Sequence, residues 1–510
     1  MDFLRESEKL DEVVPGVIAA YSGLRSSDHQ GIFTSLGRFY NHTLFGRDAG
    51  MSAKFVSDFD HQTVWDTITT LAAHQGCKTD TTTQEQPGRI HHELRDFTAW
   101  KGHWYDRFGL WVASRVWGVQ NRQLLSYFAA DTTATYIRLV HKYATHIDSS
   151  VLARQVPQRD GSTISLAESV QAAANWIVAQ VNSDGLFQTT RTNRFSLPYQ
   201  TFCDSVTAYA WADGTPADTS KPHSFLEAHV YALDAMHDAI ALVPTSVDLH
   251  YWRHAASRLE QTLLARFWDG ETGSFTPGLF MRDEQLAALD SEMITAGWTL
   301  NASFWQHLAE DEREHYVTEI VSRLFHADFL SQVGLRTRSL GANEPLGDTI
   351  DYHGSQTVWP MFNFMVIEGL RRHGLYRLAR QLEFRLLNGI NAVGAFNEFL
   401  IVDRDGLLYR PDKHAARSIR GQMIPEQNIA FTVVPALTLA YRHLYRRHDV
   451  ATAGWKYELE SRILDSIDDV QLLSPTAARE QLAPEAIKLK RTAAGLASAW
   501  HIAPVLVRKP

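Results

Sequence analysis

Apolar residues recur at helical spacing in several stretches of the chain. In residues 165–181, 224–242 and 376–389 they return every three or four positions. This spacing places them on one face of an α-helix. Ser165 and Glu168 have the spacing of a capping box, which marks a helix N-terminus. The pattern therefore predicts amphipathic helices, each with one face turned to a core.

Similar segments bring the predicted helices to about a dozen, including one over residues 285–307. Alternation typical of strands is sparse and short. Turn-rich sequences, such as residues 182–185 and 268–273, follow several of the helices. Helices that alternate with short turns and long loops predict helical hairpins closing into a ring.

No Pro-rich or Ser-rich linker divides the chain. We expect an irregular N-terminal segment over residues 1–50, packed on the ring, and a catalytic domain over residues 51–470. The character of the sequence changes after Ser474 and Pro475. Residues 471–510 are therefore expected to form a C-terminal appendage.

Charge and composition exclude several functions for this chain of 510 residues. The formal net charge is −9 and no stripe of Lys and Arg stands out, so no nucleic-acid partner is expected. No apolar run is long enough for a membrane span, and the N-terminus lacks the apolar part of a signal peptide. Cys77 and Cys203 are the only cysteines, which favours a reducing compartment. We expect a cytoplasmic protein.

The sequence contains no phosphate-binding loop, dinucleotide-binding fingerprint or zinc-ligand pattern. We therefore expect no cofactor and no metal. The oligomeric state is left open.

Two carboxylates stand among aromatic residues. Asp204 follows Phe202 closely, and Glu398 lies between Phe396 and Phe399. Apolar surroundings raise the pKa of a carboxyl group by disfavouring its charged form. A pair with one protonated and one ionised member is what cleavage of a glycosidic bond needs. We interpret Asp204 as a candidate general acid and Glu398 as a candidate general base.

Structural explanations compete with this interpretation. Asp is favoured at helix N-caps, so Asp204 could begin a helix. Glu398 could form a salt bridge with Arg404 or Arg410. Glu426 is the main alternative to Glu398 as the second carboxylate.

Seven segments, in order, carry a family resemblance. They read LFGRD at 44–48, GRIHHELR at 88–95, YFAADTT at 127–133, SDGL at 183–186 with QTFCDS at 200–205, YHGSQTVWP at 352–360, FNEF at 396–399 and PEQ at 425–427. Over residues 40–445 or so the chain resembles the six-hairpin glycosidases, and within them the amylo-α-1,6-glucosidase or glycogen-debranching type.

The resemblance implies an all-α fold, the (α/α)6 barrel or six-hairpin toroid, with long loops on one face. It also implies an inverting glycoside hydrolase, an α-glucosidase acting on oligosaccharides or glycogen-like α-glucosides, with Asp204 as acid and Glu398 as base. The residues that it places around a carbohydrate substrate are Phe45, Arg47, Asp48, His92, Arg95, Asp131, Gln200, Trp211, Glu227, His353, Trp359 and Gln427.

The chain departs from the family pattern beside both carboxylates. Phe202 and Cys203 stand where the family has Trp and Lys, and Asn397 stands where it has Pro. These departures lie beside the expected reaction centre. The same machinery could act on a small glycoside, such as mannosylglycerate or a disaccharide.

Two further alternatives belong to other classes. Helical toroids also host sugar epimerases that use histidine pairs, and His92, His229 and His353 lie at suggestive places. An inactive sugar-binding protein would also fit the altered residues around the two carboxylates.

Overall fold

A computed structural model describes residues 7–37, 40, 42–98, 101–102, 106–341, 350–408, 425–445 and 456–467. The predicted C-terminal appendage, residues 471–510, lies outside this part of the chain. The division of the chain into three parts stays a prediction. Among the described residues, no helix has both the length and the apolar character that crossing a lipid bilayer requires.

Helices dominate the described residues. The first seven α-helices are α1 (Ser7–Val13), α2 (Val17–Leu24), α3 (Gly46–Val56), α4 (His61–Ala73), α5 (Asp106–Val116), α6 (Thr132–His146) and α7 (Leu166–Gln180). The next seven are α8 (Leu226–Leu242), α9 (Leu249–Thr262), α10 (Glu310–Leu324), α11 (Pro360–Arg372), α12 (Tyr376–Val393), α13 (Ala430–Tyr445) and α14 (Tyr457–Ser466).

The strands are short and lie in the connections between helices. They are β1 (Leu44–Phe45), β2 (Glu93–Asp96), β3 (Gln123–Ser126), β4 (Gln155–Pro157), β5 (Thr163–Ser165), β6 (Ser224–Phe225) and β7 (Trp268–Asp269). The second half of the chain adds β8 (Ser274–Phe275), β9 (Gly278–Arg282), β10 (Gln285–Ala288), β11 (Leu330–Ser331), β12 (Gly334–Leu335), β13 (Thr357–Val358) and β14 (Leu400–Ile401). All their pairings are antiparallel.

Six elements form a closed inner ring. In order around it they are α3, α6, α8, the 3-10 helix Ile294–Asn301, α11 and α13, which returns to α3. Most residues of α3, α6, α8 and α11 are buried. Helices α4, α7, α9, α10 and α12 pack outside the ring. This arrangement confirms the predicted all-α (α/α)6 barrel.

The N-terminal segment is not irregular, which corrects our expectation. Helices α1 and α2 pack on the outer side of α13, and α3 already begins at Gly46. Val14, Val17, Tyr21 and Leu24 are buried there. Gly and Ser residues obscured this short apolar pattern in the sequence. Helices of this length are not stable alone, so packing on α13 stabilises them.

The long helix predicted over residues 285–307 is also wrong. Residues 285–288 form β10, which pairs with β9 in a hairpin, and Asp283 and Glu284 turn the chain with φ of 50° and 63°. Residues 294–301 form a buried 3-10 helix. Gly297 packs there so closely that a Cβ atom would lie 2.6 Å from Leu324. Apolar spacing in this stretch thus came from two different elements.

Buried ion pairs join neighbouring members of the inner ring. Arg138 of α6 contacts Asp234 of α8 at 2.8 Å, and the other oxygen of Asp234 accepts hydrogen bonds from Ser303. Arg442 of α13 forms a bidentate pair with Glu368 of α11. Removing one partner from such a pair leaves an uncompensated charge in the core.

One face of the ring carries the N-terminal ends of several inner helices. Strands β1 and β6 lead directly into α3 and α8, and β13 precedes α11 by one residue. Residues at the starts of α3, α11 and α13 line one pocket, which places these three N-terminal ends together. Helix N-termini favour negative charge, and the carboxylates described below gather at this face.

Candidate active site

A pocket opens among the loops at the N-terminal ends of the inner helices. It contains both predicted catalytic carboxylates, Asp204 and Glu398. Its remaining walls are formed by Thr34, Tyr40, Phe45, Arg47, Asp48, His92, Glu93, Arg95, Leu197, Phe202, Tyr352, Trp359, Ile429 and Phe431. Aromatic and charged side chains thus line the same pocket.

The small sheet β1–β2–β3 builds one wall. Phe45 pairs with Glu93 in register, so that two distant segments meet beside the start of α3. Gly46 allows this approach, because a Cβ atom there would lie 2.3 Å from the carbonyl oxygen of His91. Arg95 contacts Glu93 at 2.6 Å, and its guanidinium lies 5.7 Å from the ring centre of Phe45.

Arg47 stands at the centre of a carboxylate cluster. Its guanidinium contacts Asp48 at 3.5 Å, Asp131 at 3.7 Å and Asp204 at 3.5 Å. It also lies over the ring of Phe202. Burial lowers the pKa of Arg47, but Asp131, Asp48 and Asp204 outweigh this effect and keep it above its ordinary value. Arg47 therefore remains charged.

One positive charge cannot balance three carboxylates in a buried site. Burial raises the pKa of Asp48 to about 7, against the opposing effect of Arg47. Burial likewise raises the pKa of Asp131 to about 6. Asp48 and Asp131 therefore bind protons more readily than exposed aspartates do.

Glu398 is surrounded by hydrogen-bond donors. The hydroxyl of Tyr352 donates to its Oε1, and the backbone N–H of Glu426 donates to its Oε2 at 3.4 Å. Burial raises the pKa of Glu398 to about 8, and the carboxylates of Glu426 and Asp204 add to this rise. The hydrogen bond from Tyr352 acts in the opposite direction. Once ionised, such a group is a strong base held in a fixed orientation.

Glu426, the alternative to Glu398, lies behind the pocket wall. Its Oε1 accepts hydrogen bonds from Ser35 Oγ at 2.8 Å and from the N–H of Tyr40 at 3.4 Å. Gly37 packs against this carboxylate, since a Cβ atom there would lie 2.2 Å from Oε1. Glu426 supports the loop beside Glu398 and does not line the pocket.

The guanidinium of Arg404 is not among the groups that line the pocket. Arg410, the other arginine considered as a salt-bridge partner of Glu398, lies outside the described residues.

Helix capping does not explain the acidic residues on this face. Asp204 lies in a loop, and the next helix begins only at Leu226. Asp131 occupies the N-cap position of α6, but its side chain makes no cap hydrogen bond. It accepts one from Thr201 at 3.3 Å and faces Arg47. These carboxylates are directed toward the cluster.

The structure brings part of the predicted substrate-binding set to the pocket. The predicted residues that line it are Phe45, Arg47, Asp48, His92, Arg95 and Trp359. The predicted residues that do not are Asp131, Gln200, Trp211, Glu227, His353 and Gln427.

Most of the second group supports the pocket from behind. Glu227 accepts hydrogen bonds from Thr201 and Tyr209, and burial raises its pKa to about 7. His353 Nδ1 lies 3.0 Å from the hydroxyl of Ser205, and the ring stacks on Trp359. Gln427 pairs with Asn397 in a β-bridge next to Glu398.

Gln200 and Trp211 are buried and contact other parts of the protein. The Gln200 side chain bonds to Gln84 and Ser196, and Trp211 packs under the guanidinium of Arg282. A direct contact of either residue with a ligand in this pocket is not supported.

Several pocket residues were missing from the predicted site. Tyr40 and Glu93 are the most informative, because they add an aromatic face and a carboxylate to the wall. Glu93 follows His92, and residues 93 and 95 point the same way along a strand. Recognising β2 as a strand would therefore have paired Glu93 with Arg95. No comparable signal marks Tyr40.

The three histidines suggested for an epimerase do not meet in one site. His92 lines the pocket, whereas His353 lies behind it. His229 lies beside α9, where its Nε2 contacts the carbonyl of Leu259 at 2.8 Å. Burial lowers the pKa of His229 to about 4. These positions favour a carboxylate pair as the reactive groups.

The fold defines the class of six-hairpin barrels, and solved structures share it. No protein-family model matches the chain, and no curated protein matches it. The structure is similar to the GH63 mannosylglycerate hydrolase of Thermus thermophilus in complex with glucose. The TM-score is 0.54 at 14% identity, covering 83% of this chain and 98% of that one.

Two further solved structures give the same result. An uncharacterized conserved protein from Thermus thermophilus has a TM-score of 0.54 at 14% identity, covering 84% of this chain and 99% of that one. The same hydrolase in complex with Tris and D-glycerate has a TM-score of 0.53 at 14% identity, covering 84% of this chain and 99% of that one. At this identity the similarity shows a shared fold.

Proposed function

We propose that this protein is an inverting glycoside hydrolase that releases one sugar from a small α-glucoside. The observation that carries this proposal is the placement of Asp204 and Glu398 in the walls of one pocket. They come from loops far apart in sequence, and both are largely buried. Two carboxyl groups on either side of a sugar are the machinery of glycoside hydrolysis.

Asp204 is assigned as the general acid. It donates a proton to the glycosidic oxygen as the bond from that oxygen to the anomeric carbon breaks. The contact with Arg47 is long, at 3.5 Å, and Arg47 shares its charge with Asp48 and Asp131. Arg47 therefore does not form an exclusive ion pair with Asp204.

Glu398 is assigned as the general base. It accepts a proton from a water molecule as the water oxygen bonds to the anomeric carbon from the opposite face. Tyr352 and the N–H of Glu426 both donate to it, an arrangement that stabilises the ionised carboxylate. The leaving group departs as an alcohol, and the sugar is released with inverted configuration.

The remaining pocket residues suit a single sugar ring. Arg47, Asp48, Glu93 and Arg95 provide planar donors beside paired acceptors, which match vicinal hydroxyl groups. The aromatic side chains of the wall, Phe45 and Trp359 among them, offer apolar faces for the C–H side of a pyranose. A site of this kind binds the terminal sugar of its substrate.

The choice of a small α-glucoside follows from the comparison with solved structures. A protein of the same fold is named as a mannosylglycerate hydrolase and has been crystallised with glucose. We therefore place a glucosyl unit in the pocket and a small acid or sugar as the leaving group. An α-glucosidase acting on longer, glycogen-like chains is the alternative within the same reaction class.

Product stereochemistry tests the proposal directly. The purified protein would be incubated with glucosylglycerate, mannosylglycerate, trehalose, isomaltose and glycogen, and the anomer released first would be identified by NMR. We expect β-glucose from a small α-glucoside. Initial release of α-glucose from glucosylglycerate would contradict inversion, whereas trehalose would yield one glucose of each anomer under inversion. Sugar binding without turnover of any compound would instead indicate a binding protein.

A further inference from the structure

Two buried arginines lie between the loops that carry Asp204 and Glu398. Arg336 and Arg338 follow β12 and are separated by one residue. Both side chains are almost completely buried. Neither lines the pocket, so neither touches a bound sugar there.

Arg338 holds the loop of Asp204. Its Nη2 donates to the carbonyl oxygens of Thr207 at 2.6 Å and Ala208 at 2.8 Å. Its Nη1 lies 3.4 Å from Asp351 Oδ2, and the hydroxyl of Thr207 donates to Oδ1 of the same carboxylate. Three hydrogen bonds therefore anchor the turn that begins directly after Asp204: two through the carbonyl oxygens of Thr207 and Ala208 and one through the Thr207 hydroxyl.

Arg336 holds the segments around Glu398. Its Nη1 donates to the carbonyl oxygen of Ser355 at 2.6 Å. Its Nη2 donates to the carbonyl oxygens of Asp403 and Arg404, each at 2.9 Å. These acceptors flank β13 and β14, which pair directly beyond Glu398. Ser355 also follows closely after Tyr352, the donor to Glu398.

We propose that Arg336 and Arg338 act as a brace that sets the separation between the carboxyl groups of Asp204 and Glu398. They belong to one short segment, and each fastens one of the two loops. The planar guanidinium reaches two carbonyl oxygens at once, which the single ammonium of Lys does not do in the same geometry. Arg336 and Arg338 are thus positioning residues.

The brace matters because the separation selects the reaction. Inverting enzymes place the two carboxyl groups roughly 6.5–9.5 Å apart, which leaves room for the attacking water. A misplacement of about 1 Å can lower the rate about 100-fold. The identity of the two carboxyl groups as acid and base rests on the proposed function.

Crystal structures of Arg336→Lys and Arg338→Lys test the brace without relying on turnover. We expect Arg338→Lys to shift the Asp204 carboxyl by about 1 Å while Glu398 stays in place, and Arg336→Lys to do the reverse. Arg385→Lys is the matched control, because Arg385 is also buried and donates to a backbone carbonyl, that of Ser331. If neither carboxyl moves by more than about 0.5 Å in its variant, the brace is refuted.

A second test compares kcat for two substrates that differ in their leaving group. Arg338→Lys should lower kcat for methyl α-glucoside about 100-fold with little change in KM, and should lower it less for α-glucosyl fluoride, which needs no acid. Arg336→Lys should lower kcat for both substrates equally. Equal losses in all three Lys variants would indicate a general loss of structure and would overturn the brace.

Thr207→Val covers the case in which Arg338→Lys does not fold. It removes the hydroxyl bond to Asp351 and retains both arginines. We expect kcat for methyl α-glucoside to fall about tenfold, and an unchanged kcat would contradict the brace on the Asp204 side. If the wild-type protein hydrolyses no glycoside, the proposed function fails, while the crystallographic comparison still decides the brace.

Discussion

The hydroxyl group of Tyr352 donates a hydrogen bond to Oε1 of Glu398. Tyr352 packs edge-on against Trp359 and Phe399, so its hydroxyl is held in one direction. The bond opposes the burial that raises the pKa of Glu398. Orientation and acidity of the proposed base are therefore controlled by one neighbour.

The pH dependence of the wild-type reaction follows from Glu398. A general base acts only when ionised, and the pKa of Glu398 is about 8. For α-glucosyl fluoride, which needs no acid, we expect kcat/KM to rise about tenfold per pH unit below that value and to level off above it. Initial rates on this fluoride at low substrate concentration measure the dependence on Glu398 alone. A rate that instead falls as the pH rises through 8 would show that Glu398 is the acid.

Tyr352→Phe should move the rise of kcat/KM to higher pH. Loss of the donor removes an effect that lowers the pKa of Glu398, so less of the base is ionised at neutral pH. We expect kcat/KM at about pH 7 to fall about tenfold or more, with partial recovery at higher pH. The matched control is Tyr136→Phe, which removes a buried hydroxyl bonded to Ser169 outside the pocket. Identical pH profiles for both variants would contradict the role of Tyr352.

Asp204→Asn and Glu398→Gln should differ in their response to the leaving group. Without the acid, hydrolysis of an alkyl α-glucoside should fall about 10²–10⁴-fold, whereas α-glucosyl fluoride should lose much less. Without the base, both substrates should suffer similarly. Sugar binding, measured by calorimetry, should persist in Asp204→Asn. The opposite pattern of leaving-group dependence would exchange the two roles.

Asp234→Ala should destabilise the barrel without altering the pocket. Arg138 would remain charged and buried between α6 and α8, and Ser303 would lose its acceptor. We expect the free energy of unfolding to fall by about 3–5 kcal/mol in urea denaturation. Arg462→Ala is the control, because Arg462 pairs with Glu314 at the exposed surface. That change should cost less than about 1 kcal/mol, and equal losses would contradict the importance of the buried pair.

The amino-acid sequence by itself determined the fold class and the two candidate catalytic carboxylates. Apolar spacing in α7, α8 and α12 reflects the burial of one helix face, a local property that the order of residues expresses directly. Asp204 and Glu398 were conspicuous because isolated carboxylates among aromatic residues are costly unless they are used or paired. Arg47, His92 and Trp359 were found through their motifs.

Tertiary structure decided which of the other polar residues reach the pocket. His353 lies in a motif as extensive as that of Arg47, yet it supports the wall from behind, as Glu227 does. The position of Glu93 depends on a β-sheet of three short strands from distant parts of the chain. Tyr40 is held by a hydrogen bond from its N–H to the distant Glu426. The 3-10 helix at residues 294–301 arises from close packing of Gly297 against α10 and α11. Such outcomes depend on contacts between segments far apart in the chain, and local periodicity carries no record of those contacts.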